Sequence, residues 1–297
     1  MIDLKGCGTA LVTPFKADNQ LDLEAFRKLI RWQLDSGIHF LVPSGTTGES
    51  VTLNEEEYRE VIRTCVETAA GAVPVVAGAG TNNTAQVIHL ATIAQQEGAD
   101  ALLAVTPYYN KPTQEGLVLH FSKIAESISL PVVLYNVPGR TIINITAETA
   151  LRLAQVDNII ALKEASGDLG QVMQILNRRP SDFVVLSGDD SLTLPIMAMG
   201  GEGIISVASN LIPAEMSQMV DLALSGKWDE AKKIHYRYLD LMELNFIESS
   251  PIPVKYALSR MGKLEEAYRL PLCPLSDPSK KVMDQELDKL NLVSSGD

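Results

Sequence analysis

Cysteine is scarce in this chain. Only Cys7, Cys65 and Cys273 occur among 297 residues, an odd and scattered set that argues against a disulfide framework or a zinc site and is expected to be free, buried thiols in a reducing compartment. Long apolar runs are also missing. None reaches about 18 uninterrupted residues, the rough minimum for a membrane-spanning helix. The opening MIDLKGCGTALVTPF has no basic stretch followed by a sustained apolar segment, because Pro14, Lys16 and Asp18 cut its one apolar run short. A cytoplasmic protein is expected. Positive charge is in deficit as well: the formal net charge is −12, so a nucleic-acid or anionic-membrane partner is not expected. An anionic small molecule would need locally placed cations.

What is present is a balanced globular composition, 46% hydrophobic and 21% charged, long enough to bury a large core. Eight short β-branched or apolar runs close on Gly, Pro or Ser: Thr9–Val12, Phe40–Val42, Val73–Ala77, Ala101–Val105, Val132–Tyr135, Ile159–Leu162, Phe183–Leu186 and Gly203–Val207. Between them lie segments of helical periodicity, such as Leu23–Leu34, with Leu23, Phe26, Leu29, Ile30 and Leu34 at three- and four-residue steps. Further helices fit Asn54–Ala70, Thr84–Glu97, Glu115–Ser127, Ala147–Ala154, Leu169–Asn177 and Leu192–Met199, several opened by a capping type such as Asn54, Thr113 or Thr146.

Strand runs that are apolar throughout imply a parallel sheet covered on both faces. Eight strand–helix units predict a (β/α)8 barrel over residues 1–212, with a C-terminal helical extension over 213–297. The competing open doubly wound sheet lacks the Gly-x-Gly-x-x-Gly that would favour it after the first strand. In the extension, helices are expected at Ala214–Leu224, Trp228–Glu243, Pro253–Met261 and Ser279–Leu290. Their apolar faces must be buried against the barrel or another subunit.

In such a barrel, catalytic groups come from the C-terminal strand ends and the loops just after them. That filter collects Thr46, Thr47, Glu49, Tyr108, Tyr109, Tyr135, Arg140, Lys163, Glu164, Gly188, Asp189 and Asp190. It passes over the four histidines, His39, His89, His120 and His235, which fall before the second strand or inside helices, so no metal site is expected. It also passes over the glycines of Gly200-Gly201-Glu202-Gly203, which precede the eighth strand and belong to the opposite face.

Lys163 ends the apolar run Ile159–Leu162. One reading of such a lysine is an ion pair with Glu164 or Asp189. The other is an amine whose pKa, about 10.4 in water, is lowered by a desolvating wall until it is a neutral nucleophile for a carbonyl. Such an amine condenses with a keto acid, and the protonated imine then acidifies the neighbouring carbon. Tyr135, on the adjacent strand, is a candidate proton shuttle, and Thr46 and Tyr109 are candidates to relay its proton. Gly45-Thr46-Thr47-Gly48 offers backbone N–H groups to a carboxylate, and the rigid fork of Arg140 suits the carboxylate of a second substrate.

Five segments carry a resemblance: Gly45-Thr46-Thr47-Gly48-Glu49-Ser50, Thr106-Pro107-Tyr108-Tyr109-Asn110, Tyr135-Asn136-Val137-Pro138-Gly139-Arg140-Thr141, Lys163-Glu164-Ala165-Ser166-Gly167-Asp168 and Ser187-Gly188-Asp189-Asp190. In this order they resemble the signatures of the dihydrodipicolinate synthase and N-acetylneuraminate lyase family, over nearly the whole chain. The resemblance implies that Lys163 forms an imine with pyruvate, with Tyr135, Thr46 and Tyr109 as the proton relay. Thr47 would hold the pyruvate carboxylate, and Gly188 and Ile205 would line the site. Arg140 implies the branch acting on aspartate 4-semialdehyde rather than on sugar acids, although another pyruvate-dependent aldolase or a silent keto-acid-binding barrel are the alternatives.

No cofactor is implied. Tyr109 would reach a neighbouring subunit's site, which implies a homotetramer built as a dimer of dimers. Ser250, where many members have Asn, is expected to touch packing alone. Glu55 and Gln86 stand where lysine-inhibited members have a histidine and a glutamate, so feedback by lysine is expected to be weak or absent.

Overall fold

A computed structural model describes residues 2–293. Eight strands, β1 (Gly6–Ala10), β2 (Phe40–Val42), β3 (Val76–Gly78), β4 (Ala101–Val105), β5 (Val132–Asn136), β6 (Ile159–Glu164), β7 (Val184–Ser187) and β8 (Gly203–Ser206), run parallel in the order β2-β1-β8-β7-β6-β5-β4-β3. The two ends of that order meet. Leu41 pairs with Val75, its N–H donates to Pro74 O at 2.9 Å, and Gly78 N–H donates to Pro43 O at 2.9 Å. The sheet therefore closes on itself, as the eight units predict.

The helices are α1 (Leu23–Asp35), α2 (Glu55–Ala69), α3 (Thr84–Gln96), α4 (Gln114–Ser127), α5 (Pro138–Thr141), α6 (Ala147–Leu153), α7 (Leu169–Arg178), α8 (Thr193–Ala198), α9 (Pro213–Leu224), α10 (Trp228–Leu244), α11 (Ile252–Arg260) and α12 (Asp277–Lys289). Local chemistry sets their starts. The Asn54 side chain accepts from Glu57 N–H while Glu57 returns a bond to Asn54 N–H, a complete capping box. At α4, α6 and α7 the cap is one-sided: the side chains of Thr113, Thr146 and Asp168 accept from the N–H of Gly116, Thr149 and Gln171.

Some sequence expectations shift. The first strand starts at Gly6, three residues before the run read as its beginning. A Cβ on Gly8 would sit 2.0 Å from the Phe40 ring, so here the strand needs glycine, which β-propensity penalises. Val137–Thr141, read as a loop, folds into the single turn α5, started by Pro138 at its first position. Of the cysteines, Cys7 and Cys65 are buried but Cys273 is exposed, against the expectation.

Alternation along the strands decides what faces the interior. Phe40, Val42, Leu103, Val133, Tyr135, Ala161, Leu186 and Ile205 form one buried cluster within the barrel, while Leu134 and Leu162 belong to the cluster under the surrounding helices. Lys163 lies two residues past Ala161 on β6 and so points inward. The helices of the extension bury their apolar faces on the barrel: Met216, Met219, Tyr238, Leu241, Met283 and Leu287 share one cluster with Cys7, Leu11 and Ile30. Among the described residues, no helix is long and apolar enough to cross a membrane.

Candidate active site

At the C-terminal rim of the barrel lies a cavity of about 240 Å³ lined by Gly45, Thr46, Tyr108, Tyr135, Arg140 and Thr141, among others. Beside it the register pairs Tyr135 on β5 with Lys163 on β6. Lys163 Nζ lies 4.2 Å from the centre of the Tyr135 ring. The lysine is 4% exposed and makes no ion pair among the described residues.

The carboxylates that could have paired with it are engaged elsewhere. Glu164 accepts from Ser166 N–H at 2.7 Å, from Asn136 Nδ2 at 3.0 and 3.1 Å and from Gln171 Nε2 at 3.1 Å, and burial raises its pKa. Asp189 accepts from the N–H and hydroxyl of Ser191. Asp190 binds the Ser206 hydroxyl at 2.5 Å and the N–H groups of Val207 and Ala208; burial pushes its carboxyl up to about 6.

Desolvation dominates at Lys163. It pulls the amine down to about 7, with the Asp190 charge opposing and the Arg140 charge assisting. A substantial neutral fraction therefore exists at neutral pH. Gly188 makes room for this side chain: a Cβ there would lie 3.0 Å from Lys163 Cε and 2.7 Å from Ala165 Cβ. Burial raises the Tyr135 phenol, and the Arg140 charge and a hydrogen bond with Thr46 pull it back. Tyr135 and Thr46 line the same cavity.

Thr46 and Thr47 sit on a closed turn, with Gly48 N–H donating to Gly45 O and Glu49 N–H to Thr46 O, both at 3.1 Å. The Thr13 hydroxyl pins the turn from the end of β1 through Gly48 O at 2.7 Å. Arg140 is carried by α5, which the Thr141 hydroxyl ties to Val137 O at 3.2 Å and Thr106 ties to β4 at 3.0 Å. Its Nη2 donates to the backbone O of Ser250 at 3.2 Å, a carbonyl that any residue at this position would offer.

Thr47 and Ile205 are buried, Ile205 in the barrel interior. Tyr109 stands apart. It is 88% exposed, has φ +74 and does not line the cavity, whereas its neighbour Tyr108 does.

Sequence reasoning placed Glu49 on the rim but missed its partner. Lys255 of α11 donates to Glu49 Oε1 at 2.5 Å across 206 residues, with both side chains buried. The one available signal was a lysine inside the apolar stretch Ile252–Leu258. Among the described residues, no group of three or more His, Cys, Asp or Glu is placed to hold a metal ion.

The Dihydrodipicolinate synthetase family model matches residues 3–290. A 4-hydroxy-tetrahydrodipicolinate synthase of Koribacter versatilis is 55% identical over 95% of this chain and 94% of its own length. Among solved structures, dihydrodipicolinate synthase from Aquifex aeolicus has a TM-score of 0.96 at 43% identity, over 99% of this chain and 100% of that one. The chloride-inhibited dihydrodipicolinate synthase from Acinetobacter baumannii, complexed with pyruvate, has a TM-score of 0.96 at 39% identity, over 98% and 100%. With the family model matched almost end to end and relatives of this identity covered over nearly their whole length, this chain belongs to the dihydrodipicolinate synthetase family.

Proposed function

We propose that this enzyme, a lyase of the class I aldolase type, condenses pyruvate with aspartate 4-semialdehyde in the 4-hydroxy-tetrahydrodipicolinate synthase reaction of lysine and diaminopimelate synthesis. The observation that carries this reading is Lys163, a buried amine with no ion pair among the described residues, 4.2 Å from the ring centre of Tyr135, which lines one cavity with Arg140.

Neutral Lys163 adds to C2 of pyruvate, and the carbinolamine loses water to give a protonated imine. The positive nitrogen draws electrons from C3, a proton leaves that carbon, and the resulting enamine attacks the aldehyde carbon of the second substrate. Tyr135, with Thr46 beside it, carries the protons. The amino group of the bound semialdehyde then attacks the imine carbon, closing a ring and returning the Lys163 amine. Thr47 and the backbones of Gly188 and Ile205 hold pyruvate, and Arg140 holds the semialdehyde carboxylate. The lysine itself is the electron sink, so no further cofactor enters these steps.

Tyr109 reads as a group for a second copy's site. Its side chain is exposed and its left-handed backbone is fixed away from its own cavity, while exposed Val51 and Ile142 add apolar surface on the same rim. A second copy covering them would deliver the hydroxyl, and we assign a dimer of dimers in the cytoplasm. In the neighbouring cavity Glu55 is bound by His89 Nε2 at 2.9 Å, and Gln86 lines the wall. Lysine is therefore expected to inhibit weakly or not at all; half-inhibition well below about a millimolar would contradict this.

Borohydride added with pyruvate should leave a covalent adduct on Lys163, detected by peptide mass. Turnover should then follow with aspartate semialdehyde and fail with N-acetylmannosamine or glyceraldehyde. No adduct would sink the imine chemistry, and turnover of the sugars alone would move the enzyme to the sugar-acid branch.

A further inference from the structure

Lys255 has no role in the steps above, yet it is 0% exposed and its partner Glu49 1% exposed. We propose that Lys255 is a positioning residue for the condensation, acting through Glu49 to fix the turn that carries Thr46 and Thr47. The proposal rests on the reaction assigned above and adds a requirement to it.

Glu49 is part of that turn. Its N–H donates to Thr46 O, its carbonyl accepts from the Thr52 hydroxyl at 2.9 Å, and its backbone lies in the left-handed region at φ +53. A non-glycine residue there relaxes unless its surroundings hold it. Oε2 is buried and has no partner among the described residues, so the bond from Lys255 to Oε1 is the side chain's anchor. The other cation near it, Arg269, is engaged with Glu57 at 2.5 and 2.8 Å. Lys255 in turn is seated 4.4 Å from the Phe15 ring centre and 5.5 Å from that of Tyr268.

A buried ion pair is a poor way to gain stability, because desolvation of both charges offsets their attraction and well-packed apolar residues do as well. What the pair supplies, and a methionine against a leucine would not, is a fixed direction for the turn. The same segment acts at the second-substrate arm: Ser250, just before α11, accepts the hydrogen bond from Arg140.

The test compares the parent with Lys255→Met and with the double variant Glu49→Gln/Lys255→Met, which keeps the volume and leaves no buried charge unpaired. Each full chain is assayed for melting temperature, for the pyruvate concentration giving half-maximal borohydride trapping, and for kcat. The double variant should melt within roughly 5 °C of the parent. It should need about tenfold or more pyruvate and lose about tenfold to a hundredfold in kcat.

A folded double variant matching the parent within about twofold in both quantities would overturn the proposal. So would failure of the double variant to fold, since the pair would then be structural alone. A parent that traps no pyruvate would instead sink the assigned reaction, a result distinct from either.

Discussion

The two ends of the barrel solve the same geometric problem with different residues. At the end where helices lead into strands, the left-handed conformations fall mainly on glycine, at Gly37, Gly71, Gly98 and Gly200, which adopt them without steric cost, with Ala70 as the exception. At the rim, where strands lead into helices, Ser44, Glu49, Tyr109, Lys111 and Ile142 occupy that region, each at a cost of about 1–2 kcal/mol. Charge divides in the same way. On the helix-to-strand side Arg179 binds Glu202 and the carbonyls of Phe183 and Gly200, and the Asn158 side chain donates to three carbonyls. On the rim Lys163 is buried without an ion pair among the described residues. One end is the less strained; the other holds more strain and the amine that the proposed reaction would use.

If that contrast is right, the largest effect belongs to Lys163→Met. It should abolish the pyruvate adduct and cut kcat by roughly a thousandfold or more. It should also raise the melting temperature at neutral pH by roughly 3 °C or more, since a desolvated amine is removed. A melting temperature that falls instead would show that the rim is not strained there. Tyr135→Phe comes next, with kcat reduced about a hundredfold to a thousandfold at near-parental stability, measured by steady-state kinetics and thermal melts.

Arg140→Ala should raise KM for the semialdehyde about tenfold to a hundredfold, the value of a charged hydrogen bond, while pyruvate trapping persists. Because the Arg140 charge lowers the Lys163 pKa, the trapping profile should also move to higher pH. The smallest catalytic effect is expected at the opposite end. Arg179→Met should cost about 2 kcal/mol, or roughly 4–8 °C of melting temperature, with kcat/KM unchanged within about twofold. A large kinetic loss there would break the division between the ends.

Most of the fold, and the placing of the candidate residues at the rim, was legible because both rest on local patterns. The apolar strand runs, the caps at Asn54, Thr113 and Thr146, and the placement of Lys163 at a strand end are short-range signals. What escaped was non-local or ran against propensity. Gly8 of β1 is needed for the approach of Phe40 from the next strand, and Gly6 for that of the His39 ring, and α5 has too few residues to show periodicity. Glu49 and Lys255 meet only once the chain has closed the barrel and returned across it. Tyr109 satisfied the rim filter, yet its side chain faces outward because the backbone turns at a positive φ that composition does not reveal.

The central claim is that burial, above all, makes a large share of the Lys163 amine neutral near physiological pH. Burial lowers its pKa from 10.5 to about 7, so the neutral nucleophile is lost below that value and dominates above it. Single-turnover imine formation with pyruvate, read by mass on the Lys163 peptide across pH 5 to 10, measures this directly. The account predicts a rate that rises through a midpoint near 7 and then levels. A rate still climbing towards pH 10, or an adduct on another lysine, would contradict it.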